Sequence, residues 1–352
     1  MFLVQVIATL LTGNSEAIVA DAIGSVIDWV DALLLIDTGV TDGTLERARD
    51  AAGSKLVRRV FAWTGDFSAA RNFALETATA LGADWAVTID SDERLVLGGL
   101  DVRAELARAQ ESVLHVFDAH RTYVKERFFK LPAAARWRGP THETFPTAPH
   151  HSRTLEGMRF DELPKSPEAL QRKLERDALL LAAYAQQHPD EPRWPFYLGE
   201  SLSQLGRPEL AIQAYERCAA LRGWDEESAW ACYQAADCLC KLGRFEAALD
   251  RCVQGLARHA GIAELAWLAG YACYQLGRYV QARYWAELAT VHGAFRGDAA
   301  AIGRLGFRDP PALWEGPYDL LRWSAKKLGN TEAAQAAEQL WLAAKAARER
   351  SH

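Results

Sequence analysis

Two aspartates stand two residues apart at the end of an apolar segment, "WAVTIDSDERL" (residues 85–95). The apolar and β-prone residues before Asp90 predict a buried strand that ends at this aspartate. Carboxylates crowded at one place repel each other unless they share a cation. Asp90 and Asp92 therefore indicate a site for Mg²⁺ or Mn²⁺, which prefer oxygen ligands and would bring phosphates with them. The alternative is a solvated turn with surface acids, which is common for so short a motif.

Two other segments place polar residues where they can join this pair. "LLLIDTGVTDGT" (33–44) is typical of a strand that ends at Asp37, and "DFSAARNFALETA" (66–78) begins a helix that carries Arg71 in its first turns. Ligands of an open parallel sheet bind at the carboxyl ends of its strands. We therefore expect Asp37, Arg71 and the aspartate pair at one edge of a sheet. Turn chemistry alone would explain Asp37, and a surface ion pair would explain Arg71.

The elements that must position these residues alternate along the first half of the chain. Strand patterns over 2–11, 32–37, 55–61 and 85–90 alternate with helix patterns over 15–30, 45–52 and 68–81. This order predicts a mostly parallel α/β sheet with helices on both faces. Residues 112–131 predict one or two further strands.

The second half of the chain repeats itself. "LGR" begins at Leu205, Leu242 and Leu276, which are 37 and 34 residues apart. Small residues recur in register with these turns, as a stack of antiparallel helix pairs requires: Gly199, Ala236 and Gly270; Ala211, Ala248 and Ala282; Cys218, Gly255 and Ala289. The pattern resembles the tetratricopeptide repeat, whose period is 34. A fourth copy over 321–341 follows an irregular insertion at 303–317.

The three motifs of the first half, "LLIDTGVTDGT", "FSAARNFAL" and "DWAVTIDSDERL", together resemble the family 2 glycosyltransferases of the GT-A fold. With the repeats, the chain resembles the subgroup that carries C-terminal tetratricopeptide repeats. The resemblance implies a Rossmann-like GT-A catalytic domain over 1–160, a linker helix over 161–190 and an all-α repeat domain over 191–352.

The same resemblance implies a donor site for a sugar nucleotide, a UDP- or GDP-sugar. Asp37 would bond the base or ribose, and Arg71 would face the base or the phosphates. Asp90 would lie near the ribose and the metal, and Asp92 would ligate the Mn²⁺ or Mg²⁺ that bridges the diphosphate. The positions assigned to donor binding are Thr9, Leu10, Asp37, Arg71 and Asp90.

The segment "RWRGPTHETF" (136–145) is similar to the family's G-x-x-H-E segment. The resemblance makes His142 a metal ligand or a diphosphate contact, and Glu143 the general base that takes the acceptor's proton. Asp118 or His120, from the pattern "HVFDAH", are alternative bases. A His-Glu pair that is only polar loop surface is the other interpretation.

The implied reaction is an inverting, metal-dependent transfer of a sugar to a peptide, protein, glycan or small-molecule acceptor. Two departures from the family pattern keep other classes open: "LTGNSE" lacks the usual lysine, and Val40 stands where serine is usual. One alternative is a repeat scaffold with a degenerate transferase domain. A nucleotidyltransferase ranks third, because "ATLLTGNSE" has no basic phosphate loop.

Composition limits the partners. The formal net charge is −6 and the chain has no basic cluster, so we expect no nucleic acid. The N-terminal apolar segment predicts a buried strand, and we expect neither a signal peptide nor a membrane span. The six cysteines and most tryptophans of the second half fit a helical core in a reducing cytoplasm. We expect the repeats to hold a peptide or protein acceptor, or to form a homodimer.

Overall fold

The computed structural model of the protein describes residues 4–221, 223–297 and 307–351. The chain divides into two compact units, Met1–Pro167 and Glu168–His352. The start of the first predicted strand and residues 303–306 of the predicted insertion lie outside the described residues. The division falls seven residues after the domain end predicted at 160, because the last strand runs to Glu162.

The first unit is built on one mixed sheet. Its strands within the described residues are β1 (Val6–Thr12), β2 (Ala32–Asp37), β3 (Leu56–Val60), β4 (Trp85–Asp90), β5 (Glu93–Val96), β6 (Val113–Asp118), β7 (Val124–Lys130) and β8 (Ser152–Glu162). They lie in the order β3-β2-β1-β4-β7-β6-β8-β5. The first four of these are mutually parallel, whereas β7 runs antiparallel to β4 and β6. Strand β8 pairs parallel with β6 and antiparallel with β5.

Helices cover both faces of this sheet. They are α1 (Val19–Gly24), α2 (Thr44–Ala52), α3 (Phe67–Ala80) and α4 (Val102–Arg108). Alternate residues of the strands point to opposite faces. One set, such as Leu10 and Leu33, packs with α1, α2 and α4, and the other, such as Ile7 and Leu34, packs with α3. The predicted α/β fold with two covered faces is therefore confirmed.

Two local predictions differ from the structure. The helix predicted over 15–30 is limited to α1, since Gly24 is a poor helix former and turns follow it. Strands β5 and β8 were not predicted. Strand β5 is only four residues long, and the alternation of β8 is interrupted at Gly157, which has a φ of +79° beside an irregularity in the pairing of β6 with β8. A side-chain period that shifts within a strand leaves no clean pattern in the sequence.

The second unit is helical throughout its described part. Its helices are α5 (Pro167–Gln187), α6 (Arg193–Gln204), α7 (Pro208–Leu221), α8 (Asp225–Lys241), α9 (Phe245–Arg258), α10 (Ala263–Gln275), α11 (Tyr279–His292), α12 (Pro310–Leu313), α13 (Gly316–Lys327) and α14 (Thr331–Ser351). The hairpins α6–α7, α8–α9, α10–α11 and α13–α14 follow the predicted repeat, and neighbouring hairpins pack on each other.

Glycines explain the repeated "LGR". Gly206, Gly243 and Gly277 adopt φ values of +68°, +72° and +73°, in the left-handed region that glycine enters without strain. Each lies in the turn between the two helices of a hairpin. The small helical residues allow close approach: a Cβ atom on Gly199 would lie 2.6 Å from the ring of Tyr215. The predicted roles of the turn and of the small residues agree with the structure.

The cysteines contribute to the packing of these helices. All six are free thiols, five of them buried and Cys240 half-buried. Burial raises the pKa of the Cys252 thiol well above its usual value, so this side chain stays a neutral apolar group. None of the helices in the described part of the chain combines the length and apolar content that a membrane crossing requires.

Candidate active site

The carboxyl ends of β1, β2 and β4 form one edge of the sheet. Thr12 is in register with Asp37, and Leu11 is in register with Asp90. Asp37 and Asp90 therefore lie two strand spacings apart, about 10 Å, on either side of the end of β1. This is the edge at which ligands of parallel sheets bind, as the sequence predicts.

Asp37 organises the turn that follows β2. Its Oδ1 atom accepts hydrogen bonds from the backbone N–H groups of Gly39 (2.9 Å) and Val40 (2.8 Å), and Arg58 Nε donates to its Oδ2 atom at 3.1 Å. Burial raises the pKa of the Asp37 carboxyl, but these donors outweigh it and hold the pKa below its usual value. Asp37 is therefore an ionised, buried carboxylate that fixes the turn at the edge of the sheet.

Arg71 is the centre of the site. From α3 its Nε donates to Glu143 Oε1 and its Nη2 donates to Asp90 Oδ1, both at 2.8 Å. The guanidinium also lies over the ring of Trp137, with its carbon 5.4 Å from the ring centroid. Its Nη1 atom is buried and has no hydrogen-bond partner within the described residues. A buried charged donor without a partner is costly, so Nη1 is a candidate contact for an anionic ligand.

A second arginine, Arg127, also contacts Asp90. Arg127 on β7 is 2% exposed and lies 3.4 Å from Asp90, and it forms a buried ion pair with Glu93. Lys125, two residues earlier on the same strand face, contacts Glu93 at 2.7 Å. Burial raises the pKa of Asp90, but the charges of Arg71 and Arg127 outweigh it and place the pKa well below its ordinary value. Asp90 is therefore a fixed anion at neutral pH.

Asp92 lies in the turn between β4 and β5. Its side chain is 28% exposed and forms an ion pair with Lys165, from the segment after β8. Burial lowers the pKa of Lys165, but its bond to Asp92 outweighs this and raises the pKa above its usual value. The second acid of the motif is therefore about as exposed as Asp90, whose side chain is 27% exposed, and it is paired with a lysine.

The loop that carries His142 and Glu143 is clamped beside Arg71. Backbone hydrogen bonds between Arg138 and Thr144, of 2.9 and 3.0 Å, close the loop. The amide of Asn72, next to Arg71 on α3, exchanges two hydrogen bonds with the backbone of Trp137. This clamp explains why Glu143, whose side chain is 12% exposed, reaches the guanidinium. Its Oε2 atom makes no hydrogen bond with any residue in the described ranges.

His142 has an unusual backbone conformation. Its φ is +51°, a left-handed value that is uncommon outside glycine. Such conformations cost about 1–3 kcal/mol and are frequent at ligand sites. The strain is compatible with the predicted contact of His142 with metal or diphosphate, which stays a prediction.

Asp118, one of the two alternative bases, has a local role in the structure. Asp118 is 7% exposed and accepts hydrogen bonds from the backbone N–H groups of His120 (3.1 Å) and Tyr123 (2.9 Å) and from the Thr122 hydroxyl (2.9 Å). Burial raises its pKa, but these bonds outweigh it and the pKa lies below its usual value. Asp118 is therefore fixed by the turn that follows β6, and the assignment of the base to Glu143 or Asp118 stays a prediction.

Thr9 and Leu10 are not brought to the edge. They are 1% and 0% exposed in the middle of β1, where the Thr9 hydroxyl lies 3.1 Å from that of Thr88 and Leu10 packs in the core under α1. A ligand at the carboxyl edge would meet Thr12 and the turn after it before reaching these side chains. The structure therefore gives them no direct contact surface for a donor.

The site offers an incomplete ligand set for a metal ion. The described residues contain no cluster of three or more His, Cys, Asp or Glu side chains that could hold one. Mg²⁺ and related ions are often held by one or two carboxylates together with substrate phosphates and water. The partly exposed Asp92 and the uncompleted Arg71 fit a cation that arrives with a diphosphate, and binding it would require Lys165 to move from Asp92.

Three basic residues around the aspartate pair, Lys125, Arg127 and Lys165, were missed in the sequence. Lys125 and Arg127 are two apart on β7, which is the spacing of one strand face, and this signal was available. Lys165 lies between β8 and α5 without any periodic pattern, so its contact with Asp92 depends on the tertiary fold.

The comparisons with known proteins agree with this geometry. Residues 10–161 match the model of Glycosyl transferase family 2, a range that contains every predicted site residue except Thr9. Residues 10–161 of the N-terminal unit therefore match a family 2 glycosyltransferase domain, and the helical unit that follows is built of hairpins that keep the predicted repeat.

Two curated relatives match different parts of the chain. The glycosyltransferase SunS of the SPβ prophage of Bacillus subtilis is 24% identical over 214 residues, which cover 56% of this chain and 49% of that protein. A tetratricopeptide repeat-containing protein of Synechococcus elongatus is 39% identical over 93 residues, 26% of this chain and 22% of that protein. The chain thus spans about half or less of the length of these relatives.

Solved structures match about half of the chain. A crystal structure of MamA is 15% identical, covers 53% of this chain and 99% of its own, and gives a TM-score of 0.41. A MamA structure from Desulfovibrio magneticus gives a TM-score of 0.38 with 15% identity and covers 51% of this chain and 87% of its own.

Proposed function

We propose that this protein is an inverting glycosyltransferase that moves a sugar from a nucleoside-diphosphate sugar to a protein acceptor. The observation that carries the proposal is the buried, uncompleted Nη1 atom of Arg71 at the carboxyl edge of the sheet. The family 2 glycosyltransferase domain over residues 10–161 and the likeness to SunS support it. A diphosphate is the anion that the family's donors would present there.

The donor is held by charge. Arg71 donates hydrogen bonds to Asp90 and Glu143, so its guanidinium is oriented before the ligand binds. Nη1 is left for a phosphate oxygen. Preorganised donors of this kind stabilise the negative charge that develops on a leaving diphosphate. Asp92 would hold Mg²⁺ or Mn²⁺, and the cation when bound supplies further positive charge to the diphosphate.

Glu143 acts as the general base. Its Oε1 atom is fixed by Arg71, and Oε2 is available to accept the proton of the acceptor nucleophile. The deprotonated nucleophile attacks the anomeric carbon as the bond from this carbon to the diphosphate oxygen breaks. The bonding electrons leave with the nucleoside diphosphate, and the configuration at the anomeric carbon inverts. The donor is a UDP- or GDP-sugar in this proposal.

The repeats hold the acceptor, and the protein acts in the cytoplasm as a monomer or homodimer. Repeat stacks present long surfaces that suit extended partners. Free, buried cysteines support a reducing compartment.

One observation favours a second candidate function, a repeat scaffold with an inactive transferase domain. Asp92, the proposed metal ligand, forms an ion pair with Lys165, so this carboxylate already has a cationic partner without a metal ion. Such a scaffold would bind partners through its repeats and would not turn over sugar nucleotides.

One experiment separates the two candidates. The protein is incubated with a panel of UDP- and GDP-sugars and Mn²⁺, and release of nucleoside diphosphate is followed by chromatography. The transferase proposal expects slow hydrolysis of at least one donor in the absence of acceptor, and its loss on addition of a chelator. Absence of hydrolysis and of nucleotide binding across the panel would favour the scaffold.

A further inference from the structure

Lys165 lies in a short segment that is fixed against the turn between β4 and β5. Strand β8 pairs with β5 through Glu162 and Glu93, and the backbone N–H of Leu163 donates to the backbone carbonyl of Asp92 at 2.8 Å. The side chain of Lys165 is 32% exposed, and its ammonium group forms an ion pair with Asp92. The fold therefore places a partly exposed ammonium group on the carboxylate that is proposed to bind the metal ion.

Asp92 cannot keep this partner once a metal ion binds. A divalent cation and an ammonium group on one carboxylate are like charges a few ångströms apart, and they repel each other beside a protein more strongly than in bulk water. The ammonium group of Lys165 must therefore leave Asp92 when the metal ion arrives. Because the backbone just before Lys165 is held by the bond of Leu163, the ammonium group moves by rotation of its own side chain and stays at this edge.

The other acids that act on the charge of Lys165 are Glu162 and Asp90, and both already have partners. Glu162 accepts a hydrogen bond of 2.9 Å from the Tyr123 hydroxyl, and it also forms an ion pair with a lysine of β7. Asp90 accepts a hydrogen bond of 2.8 Å from Arg71. For a displaced Lys165, the counter-ion that remains is an anionic ligand.

The charge of this edge favours the same ligand. Within the described residues, its ion pairs join five carboxylates to four Lys and Arg side chains: Asp90, Asp92, Glu93, Glu143 and Glu162, and Arg71, Lys125, Arg127 and Lys165. These side chains alone leave one negative charge in excess. A divalent cation reverses the sign, so the edge then attracts an anion such as a diphosphate.

We propose that Lys165 is a donor contact with two partners: Asp92 in the free protein, and the diphosphate of the sugar nucleotide once a metal ion occupies Asp92. Lys165 then competes with the metal ion and assists the nucleotide. The inference rests on the proposed function, because it needs a diphosphate at this edge. Lys165 lies after residues 10–161, so it is outside the range that matches the family model.

Replacing Lys165 by methionine tests the competition with the metal ion. Methionine keeps an unbranched side chain but carries no charge. Binding of Mn²⁺ alone to the full chain is measured by electron paramagnetic resonance, in which the signal of free Mn²⁺ falls as the ion binds. Lys165→Met should bind Mn²⁺ about two- to fivefold more tightly than the parent protein, which corresponds to the loss of a partly exposed ion pair.

The contact with the nucleotide is measured by calorimetry with UDP and with GDP in excess Mn²⁺. Lys165→Met should bind the nucleotide roughly tenfold or more weakly than the parent protein, because a charge-assisted hydrogen bond to phosphate is lost. The effects on metal and nucleotide binding therefore have opposite signs. Lys165→Arg keeps the charge and should retain most of the nucleotide affinity.

Lys173→Met is the matched control. Lys173 on α5 lies 2.8 Å from Asp177, and its side chain is 35% exposed, close to the value for Lys165. The substitution removes the same charge from an ion pair of similar exposure. Both affinities should stay those of the parent protein.

Two patterns would overturn the inference. Binding of nucleotide by Lys165→Met that is no weaker than in the parent protein would make Lys165 only a competitor of the metal ion. Binding of Mn²⁺ that is no tighter, together with weaker nucleotide binding, would make it a structural residue. If the parent protein binds neither UDP nor GDP, the proposed function itself fails and this inference fails with it, whereas parent binding that Lys165→Met retains contradicts the role of Lys165 alone.

Discussion

Replacing Arg71 by lysine separates the ligand contact of this side chain from its structural contacts. Lysine keeps the positive charge between Asp90 and Glu143. It lacks the planar guanidinium, which can bond both carboxylates and still direct Nη1 at a ligand. The phosphate contact should therefore be lost even if the fold survives.

The expected sizes follow from the contacts. A hydrogen bond to a charged group contributes about 1.5–3 kcal/mol. Loss of the Nη1 contact should weaken binding of UDP or GDP by roughly ten- to 150-fold, since 1.4 kcal/mol corresponds to a factor of ten. Loss of one of the two internal bonds should lower the free energy of unfolding by a similar 1.5–3 kcal/mol, about the value of one charge-assisted bond.

Arg127→Lys is the matched control. Arg127 also contacts Asp90 and is at least as buried, with its side chain 3% exposed against 12% for Arg71, so it lies beneath the site. Both variants should lose stability in denaturant titrations, but only Arg71→Lys should lose most of the nucleotide affinity in calorimetry with Mn²⁺ present. If both variants bind the nucleotide within twofold of the parent, Arg71 does not contact the diphosphate and the reasoning is refuted.

Three further changes probe the same site. Asp92→Asn should abolish the Mn²⁺-dependent part of nucleotide binding in calorimetry while leaving the thermal transition nearly unchanged; retained metal dependence would exclude Asp92 as a ligand. Glu143→Gln should lower turnover by on the order of a hundredfold with little change in donor affinity, whereas turnover within a few-fold would move the role of base elsewhere. Asp90→Asn should make the free energy of unfolding depend less on pH under acidic conditions. The pKa of Asp90 is depressed, so its contribution is present above about pH 4 and is lost as the pH falls through the folded-state pKa. Urea titrations below about pH 4 should show a steeper loss for the parent than for the variant, and parallel curves would contradict the ion-pair assignment.

Much of the fold was predictable because burial leaves a simple pattern. Strands β2 and β4 are continuous apolar segments, and the predicted bounds of β2, Ala32–Asp37, are those observed. The glycine turns of the repeats were visible because only glycine adopts their backbone conformation easily. Strand β8 was not visible, since its pairing is irregular and its register with β6 depends on tertiary contacts.

The site was predictable in part for the same reason. Asp37 and Asp90 end parallel strands, so topology alone brings them to one edge. The contact of Arg71 with Glu143 joins residues 72 positions apart, and it depends on the loop clamped by Asn72, which no local pattern indicates. The ion pair between Lys165 and Asp92 is likewise a product of the fold.

We propose that the edge occupied by Arg71, Asp90 and Glu143 transfers a sugar with inversion. Proton NMR of the anomeric signals tests it most directly, during incubation of the protein with Mn²⁺ and the sugar nucleotide that it hydrolyses best. We expect the sugar first released to water to have the anomeric configuration opposite to that of the donor, together with one equivalent of nucleoside diphosphate. Release with the same configuration, or no consumption of any UDP- or GDP-sugar, would contradict it.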